Sequence, residues 1–154
     1  MSSHILISSL EFNQKKIESL LADLTIDETL AFTHDNINNI HWIVGHIASQ
    51  RDTLLEDLTG EMTFPQELKQ YYGKTGDPRK MPKTIDWATC LDILKEQFND
   101  ISAWVLEWDS QGRLDREKGD VIVKYLSHEA YHIGQVSLIR KMLSKNSTNA
   151  EKSL

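Results

Sequence analysis

The chain has 154 residues, 40% hydrophobic and 26% charged, which is typical of a single soluble globular domain. Its net charge of −6 disfavours a nucleic-acid surface, which needs clustered Lys and Arg. No apolar run approaches transmembrane length, and the N-terminal stretch lacks the basic and apolar regions of a signal peptide. The single cysteine, Cys90, excludes an intrachain disulfide and favours a cytoplasmic protein.

The first predicted helix covers residues 4–23. Its hydrophobic residues recur at spacings of four and three, which is the period of one buried helix face. This face consists of Leu6, Leu10, Asn13, Ile17, Leu20 and Leu24. Asn13 is its one polar member, and we expect this side chain to lie at an edge of the helix in contact with water.

The second predicted helix covers residues 36–58, with Asp35 as its N-cap and Gly60 just past its end. Arg51 occupies one position of its otherwise apolar face. We expect the Arg51 side chain to extend to the surface; the alternative is that it binds an anionic group at the mouth of a pocket.

A long connection, residues 61–83, follows helix two and contains all three prolines. We predict one short helical turn within it, at residues 65–72, and long connections of this kind often form lids or binding loops. Helix three then covers residues 85–108, with Thr84 as its N-cap. Its buried face is apolar throughout, so helix three should form the wall of a site and supply none of its chemistry.

The fourth predicted helix covers residues 120–143 and carries polar residues on its predicted buried face. The members of this face are Val121, Tyr125, His128, His132, Gln135, Ile139 and Met142. His128 and His132 are four residues apart, so their imidazoles project from one side of the helix, one turn apart. Imidazoles at this spacing can bind one metal ion, which we favour over two core histidines bonded to polar neighbours.

Four helices of this length predict an all-α fold, an up-and-down four-helix bundle with a long crossover between helices 2 and 3. We assign residues 1–145 to this domain and residues 146–154 to a polar, disordered tail. Helices two and four run the same way in such a bundle. His46 and the midpoint of His128 and His132 each lie about 10 residues into their helices, so the three histidines should meet inside the bundle.

The sequence HEAYH, residues 128–132, also matches the HExxH motif of metalloproteases, in which Glu129 would be the general base. A metal-dependent hydrolase is less favoured, because no strand pattern precedes the motif and only a glutamate in the tail could be a further acidic ligand. A di-iron site would need a second Glu-x-x-His copy, which is absent. We expect Glu129 on the flank of the bundle, about 100° from His128.

Two segments resemble the DinB-like family of metalloenzymes: NIHWIVGHIASQR, residues 39–51, and SHEAYHIGQVSLIR, residues 127–140. The resemblance covers nearly the whole chain and implies that His46, His128 and His132 are ligands of zinc, nickel or a similar divalent ion. It also implies a bundle of unusual handedness and frequent homodimers. Some members are thiol-dependent S-transferases that use low-molecular-weight thiols such as bacillithiol, and related proteins are mycothiol-dependent isomerases. Many members have no known activity.

We therefore expect a metal-dependent enzyme that acts on a small molecule, with a low-molecular-weight thiol as one substrate. The alternative is a non-catalytic metal- or ligand-binding bundle. The candidate catalytic residues are Glu129, Gln135 and Arg51; Gln135 lies one turn from His132 and could donate a hydrogen bond to the substrate. Trp42 or Trp104, which lie off the main hydrophobic faces, could pack across a homodimer interface.

Overall fold

A computed structural model describes residues 3–73, 75–81 and 84–151, with side chains as far as residue 144. These residues contain helices and no strand. Four long helices form the bundle: α1 (Ser3–Leu21), α3 (Ile40–Thr59), α5 (Trp87–Ser110) and α6 (Arg116–Glu151). Two short helices, α2 (Ile26–Leu30) and α4 (Gln66–Lys69), lie in the connections. The predicted all-α four-helix bundle and its long crossover are confirmed.

Helix α3 begins later than predicted because Asn39, and not Asp35, is its N-cap. The Asn39 side-chain oxygen accepts a hydrogen bond from the backbone N–H of Trp42 at 2.8 Å. The predicted end of the helix is confirmed, because Gly60 adopts a left-handed conformation with φ of 79° and donates its N–H to the Glu56 carbonyl. This conformation favours glycine, which has no Cβ to clash with the backbone.

The starts of the last two long helices also differ from the predicted positions. The N-cap of α5 is Asp86, which accepts a hydrogen bond from the Thr89 N–H, so the prediction of Thr84 was wrong. Helix α6 begins ahead of the predicted position 120 because an Asp115 side-chain oxygen accepts a hydrogen bond from the Lys118 N–H at 2.9 Å. The helix continues through residue 151, and residues 152–154 lie outside the described part of the chain.

Helices α3 and α6 are antiparallel, although the sequence predicted that they run the same way. Asp57, near the end of α3, accepts a hydrogen bond from Tyr125, whereas His46, earlier in α3, contacts His132, later in α6. The contacts therefore pair the end of one helix with the start of the other. The predicted meeting of the histidines still occurs. His46 lies about as far from the end of α3, at residue 59, as His128 and His132 lie from the start of α6, at residue 116, and these two helix ends are at the same end of the bundle.

The other helix pairs give the order up, down, down, up along the chain. Helices α3 and α5 are parallel: His41 packs on Trp87, and Ala48, farther along α3, accepts a hydrogen bond from Gln97, farther along α5. Because α5 starts at the same end of the bundle as α3, the chain must return along the length of α3, which is about 30 Å. This return explains why the connection between the two helices is long.

A buried aspartate, Asp52, holds this return connection against α3. One of its carboxylate oxygens accepts the backbone N–H groups of Thr63 and Phe64, at 2.6 and 2.8 Å. The other accepts the side-chain amide of Gln66 and the ammonium of Lys69, at 3.1 and 2.9 Å. The connection is therefore bonded to the bundle along its first half, and this part is not a freely moving lid.

The buried face of α6 differs from the prediction by about one residue. Its buried members include Ile122, Leu126, Glu129, Ile133 and Val136. Neighbouring helix positions differ by 100°, so the predicted face is rotated by about 100° from the face that is buried. Its residues Tyr125, His128 and His132 contact α3, so this face borders α3. His128, on this face, is exposed. The histidines therefore meet at the rim of the bundle and not at its centre.

None of the helices in the described ranges combines the length and the apolar character needed to cross a bilayer.

The prediction that Asn13 contacts water was wrong, because the side chain is buried and its amide donates a hydrogen bond to the Leu126 carbonyl at 3.0 Å. A buried amide needs such a partner to replace its lost hydrogen bonds to water. This contact joins α1 to α6, which run in the same direction.

Candidate metal centre

His46 lies in the second turn of α3, with its ring enclosed by neighbouring side chains and backbone. The indole of Trp42, one turn earlier, stacks on the imidazole with ring centroids 5.0 Å apart and planes at 6°. The Trp42 N–H donates to the Tyr71 carbonyl at 2.9 Å, so Trp42 is buried and held in place. Trp42 is therefore unavailable for the homodimer contact that was suggested for it from the sequence.

Helix α6 brings His128 and His132 to the same point. The Nε2 atom of His128 lies 3.2 Å from Nε2 of His46 and 3.1 Å from Nε2 of His132. His46 and His132 are buried, and His128 is exposed. The structure thus brings together the three histidines identified in the sequence, with one side of the cluster open to solvent. His41, on another face of α3, packs on Trp87 and lies outside the cluster.

Hydrogen bonds fix the tautomers of the two buried histidines. His46 Nδ1 lies 2.5 Å from the carbonyl oxygen of Tyr72, and His132 Nδ1 lies 2.7 Å from the side-chain oxygen of Gln135. Both partners are oxygen acceptors, so each Nδ1 must carry the proton and donate it. In a neutral imidazole the Nε2 atom then has a free lone pair, which is the form that binds a metal.

The three Nε2 atoms are close enough to share a divalent ion. The Nε2 atoms of His46 and His132 each present a lone pair to His128, and the single Nε2 proton of a neutral His128 could bond to only one of them. Nitrogen ligands bound to one ion at about 2.0–2.1 Å lie roughly 3–3.4 Å apart, which matches the two separations from His128, and all three ligand atoms lie within 4.8 Å of one another. The three histidines could therefore hold a metal ion. Imidazole ligands suit zinc, nickel, copper and iron, so the ligands do not identify the metal.

The surroundings keep the buried imidazoles in the neutral form that a metal requires. Burial lowers the pKa of His132 to about 4, against the opposing effect of its hydrogen bond to Gln135. Burial also lowers the pKa of His46, although the hydrogen bond to the Tyr72 carbonyl opposes it. Because protons and metal ions compete for the same lone pairs, low pKa values favour metal binding at neutral pH.

Arg51 and Glu129 form a buried ion pair, which corrects both predictions for these residues. Arg51 does not reach the surface and Glu129 does not lie on the flank, since they are 3% and 5% exposed. Two hydrogen bonds, of 2.7 and 3.0 Å, join the guanidinium to both carboxylate oxygens. Glu129 is therefore not free to be the general base of a protease, and Arg51 is not free to bind an anionic substrate.

Gln135 contacts the cluster through its side-chain oxygen, which binds His132, and Tyr131 lies beside it. The predicted donation from Gln135 to a substrate stays a prediction. The Gln135 side-chain N–H donates to the Tyr131 hydroxyl oxygen at 3.1 Å, and the Tyr131 ring packs edge-on to His132 with centroids 5.1 Å apart. Because the amide nitrogen only donates, the Tyr131 hydroxyl proton is available for another acceptor. The sequence reasoning missed Tyr131, although its place four residues before Gln135 on α6 was a usable signal.

Tyr72 lies in the return connection, where the sequence suggested only that it could shape a pocket entrance or pack at the surface, and its role at the cluster was not predicted. Its side chain is fully buried, its hydroxyl accepts the Ile85 N–H at 3.0 Å, and its carbonyl binds His46. Gly45 makes room for the Tyr72 ring, since a Cβ at position 45 would lie 2.2 Å from Tyr72 Cε1. A glycine in the middle of α3, directly before His46, was the available signal.

Cys90 is not a candidate nucleophile. It is fully buried, and this burial raises the pKa of its thiol to about 12. The reactive form of cysteine is the thiolate, which is scarce at neutral pH under these conditions. Any thiol chemistry at the histidine cluster must therefore involve a thiol from outside the chain.

Comparison with known proteins agrees with this fold. A family model described as the DinB superfamily matches residues 9–136, a range that contains all three histidines. A crystal structure described as a conserved protein from Enterococcus faecalis is 16% identical, with a TM-score of 0.69 over 92% of this chain and 96% of that chain. At this identity the likeness shows the fold alone. No curated protein matches the chain.

Proposed function

This chain belongs to the DinB superfamily, and from its histidine cluster we propose that it is a metal-dependent enzyme that transfers a small thiol to an electrophilic substrate. The observation that carries the proposal is the convergence of three imidazole Nε2 atoms at a rim that is open on the His128 side. Three protein ligands leave coordination positions for other molecules, which is the pattern of catalytic sites. We propose zinc or nickel as the ion.

The charge of the ligands supports a thiol as substrate. Three neutral histidines would leave the full positive charge on a divalent ion held by them, and that charge would favour the thiolate form of a substrate thiol. In the proposed reaction the thiol loses its proton to solvent, its sulfur forms a bond to an electrophilic carbon, and the leaving group departs with its electron pair. His46, His128 and His132 would hold the ion throughout.

Neutral polar groups at the rim support a small-molecule substrate. Tyr131 and Gln135 lie beside His132, and the free hydroxyl proton of Tyr131 could be donated to the substrate. Because Arg51 is bonded to Glu129, it no longer supports the predicted recognition of an anion. We propose that recognition depends on the ion, Tyr131 and Gln135.

The test compares metal-loaded protein with the His128→Ala protein, each assayed with bacillithiol or a surrogate thiol and a panel of electrophiles. Metal analysis of the purified protein comes first. We expect rapid conjugation by the loaded parent and loss of the metal-dependent rate in the variant. Equal rates in both proteins would contradict a thiol transferase and would leave the non-catalytic binding bundle as the better description. Protease activity in the loaded form would equally contradict the proposal.

We further propose that the chain forms a homodimer through the faces of α1 and α6 that lie away from α3. Ile5, Phe12 and Val123 are exposed there, and Phe12 is 69% exposed. The groove between them contains no Asp, Glu, Lys or Arg. An uncharged face suits self-association of a chain with net charge −6, because like charges would otherwise meet across the two-fold axis. This face replaces the two tryptophans as the interface: Trp104 packs within its own chain, on Trp108.

A further inference from the structure

Helix α6 offers the bundle two adjacent apolar faces. One contains Val121, Tyr125, Ile139 and Met142, and the other contains Ile122, Leu126, Ile133 and Val136. They lie about 100° apart around the helix axis. Both have the period of a buried face, so hydrophobic patterning alone does not decide which of them packs into the core. In the structure the second face is the more deeply buried.

The ion pair between Arg51 and Glu129 lies on this second face. Glu129 is located between Leu126 and Ile133, and its carboxylate receives both N–H groups of the Arg51 fork at 2.7 and 3.0 Å. The other end of the guanidinium donates to the Gln14 side-chain oxygen at 2.7 Å and to the Leu94 carbonyl at 2.8 Å. One arginine thus joins α1, α3, α5 and α6.

Such a contact specifies geometry more than it stabilises. A buried ion pair gains little over an apolar pair of similar volume, because both charges lose their hydration. The planar fork of arginine, however, accepts a carboxylate in one orientation, so it fixes both the rotation and the height of the partner helix. If α6 rotated towards its other face, Glu129 would move away from Arg51, and the buried guanidinium would lose its only carboxylate partner among the described residues, keeping only Gln14 and the Leu94 carbonyl.

We propose that Arg51 and Glu129 are positioning residues that set the rotation of α6 and so hold His128 and His132 opposite His46. Glu129 follows His128 directly and precedes His132 by three residues, so turning Glu129 into the core places both histidines on the edge next to α3. A metal site requires its ligands within about 0.5 Å of their working positions. This inference rests on the proposed metal site.

The test is a double substitution, Arg51→Met with Glu129→Leu, which replaces the ion pair by apolar side chains without changing a histidine. We expect a folded protein whose metal affinity, measured by calorimetry with zinc or nickel, is lower by at least about 10-fold. The matched control removes a different ion pair of α6, with Arg140→Gln and Asp23→Asn, and should retain the affinity of the parent. That pair joins α6 to the turn that follows α1, away from the cluster.

A second readout does not depend on metal. Ile122 is buried on the second face, so a cysteine introduced as Ile122→Cys should react slowly with a thiol reagent, and Cys90 is buried as well. In the double variant this cysteine should react at least about 10-fold faster, because rotation of α6 exposes it. If the parent bound no metal, the proposed metal site would fail, and the labelling comparison would still decide the role of the ion pair.

The Arg51→Lys variant covers the case in which the double variant does not fold. Lysine keeps the charge but has no planar fork, so we expect a folded protein with weaker metal binding and faster labelling at position 122. Parental metal affinity and parental labelling in a folded Arg51→Lys or double variant would overturn the positioning role. The ion pair would then contribute to stability alone.

Discussion

The ring of Tyr72 occupies the space that a side chain at Gly45 would fill. A Cβ at position 45 would lie 2.2 Å from Tyr72 Cε1, far inside van der Waals contact. The carbonyl of the same tyrosine accepts the Nδ1 proton of His46. The absence of a side chain at one position thus allows the return connection to approach α3 and orient a histidine of the cluster.

Gly45→Ala should therefore destabilise the protein and weaken metal binding. The added methyl group must displace Tyr72, at a cost of about 1–3 kcal/mol, and the gain in helix propensity offsets about 1 kcal/mol of this, so the net loss of stability should reach up to about 2 kcal/mol. Gly134→Ala is the matched control, since a Cβ there would have open space around it, and it should stabilise α6 by about 0.5–1 kcal/mol. Urea denaturation measures both changes. Equal effects of the two substitutions would contradict this packing argument.

His46→Ala should abolish tight metal binding while leaving the helical fold intact. Loss of one of three ligands should cost more than loss of an outer contact, so the metal affinity should fall by more than about 100-fold. Calorimetry and metal analysis measure the affinity, and circular dichroism measures the helix content. His4→Ala, at an exposed histidine outside the cluster, is the control. Metal retention by the His46→Ala protein would rule out the three-histidine site.

Mild acid should destabilise the metal-free protein. Burial lowers the pKa of His132 to about 4 and lowers that of His46, both from an ordinary value of 6.5. The folded state then binds fewer protons than the unfolded state, so this part of the stability is complete above pH 6.5 and decreases as the pH falls towards 4. Urea denaturation of metal-free protein at about pH 7.5, 6 and 5 should show the decrease. In the His132→Gln protein the free energy of unfolding should decrease less between about pH 7.5 and about pH 5. The same decrease in both proteins would contradict a contribution from His132.

Tyr131→Phe should reduce thiol transfer without weakening metal binding. The substitution removes the hydroxyl proton that Gln135 leaves free for the substrate, and the loss of one such hydrogen bond corresponds to about a 10-fold lower rate. Tyr125→Phe is the control on the same helix, because the Tyr125 hydroxyl already donates to Asp57. If both variants retained the parental rate, Tyr131 would have no part in substrate recognition.

Phe12→Glu should convert the proposed homodimer into a monomer of 17.7 kDa. Each copy of the chain would contribute one glutamate carboxylate to the same apolar interface. The two carboxylates would lose their hydration and would repel each other. Light scattering at micromolar concentration gives the mass. Phe32→Glu, at an exposed phenylalanine outside this face, is the control. A parent mass near that of a single chain would contradict the dimer.

The helical period in the sequence was sufficient for the four long helices but not for the orientation of α6. His128 and His132 suggested a face at the right spacing, and the three histidines do meet. The predicted face followed the spacing that contains the two histidines, one residue away from the face that is buried, and this placed Glu129 on the flank of the bundle. Glu129 is buried only because Arg51 is buried beside it, and a pair of residues 78 positions apart leaves no periodic signal in either helix.

Helix direction was equally inaccessible to a reading of local patterns. Whether α3 runs parallel or antiparallel to α6 depends on the path of the connection after Gly60, and that path is fixed by bonds from Asp52 to Thr63, Phe64 and Lys69. An aspartate in a helix gives no sign that it will bind a segment a dozen residues later. The role of Tyr72 at the cluster could not be predicted for the same reason, because the group that binds His46 is a backbone carbonyl, which every residue type carries.

The 82 positions that separate His46 from His128 have a consequence for folding. In small zinc domains the ligands are close in sequence, so the metal can organise a short unfolded segment. Here the closure of so long a loop is entropically costly, and the return connection must also be in place before Tyr72 can orient His46. We infer that the bundle would assemble first and that an ion held by the three histidines would be the last component to join. A chain without metal would then be folded and could still be loaded later.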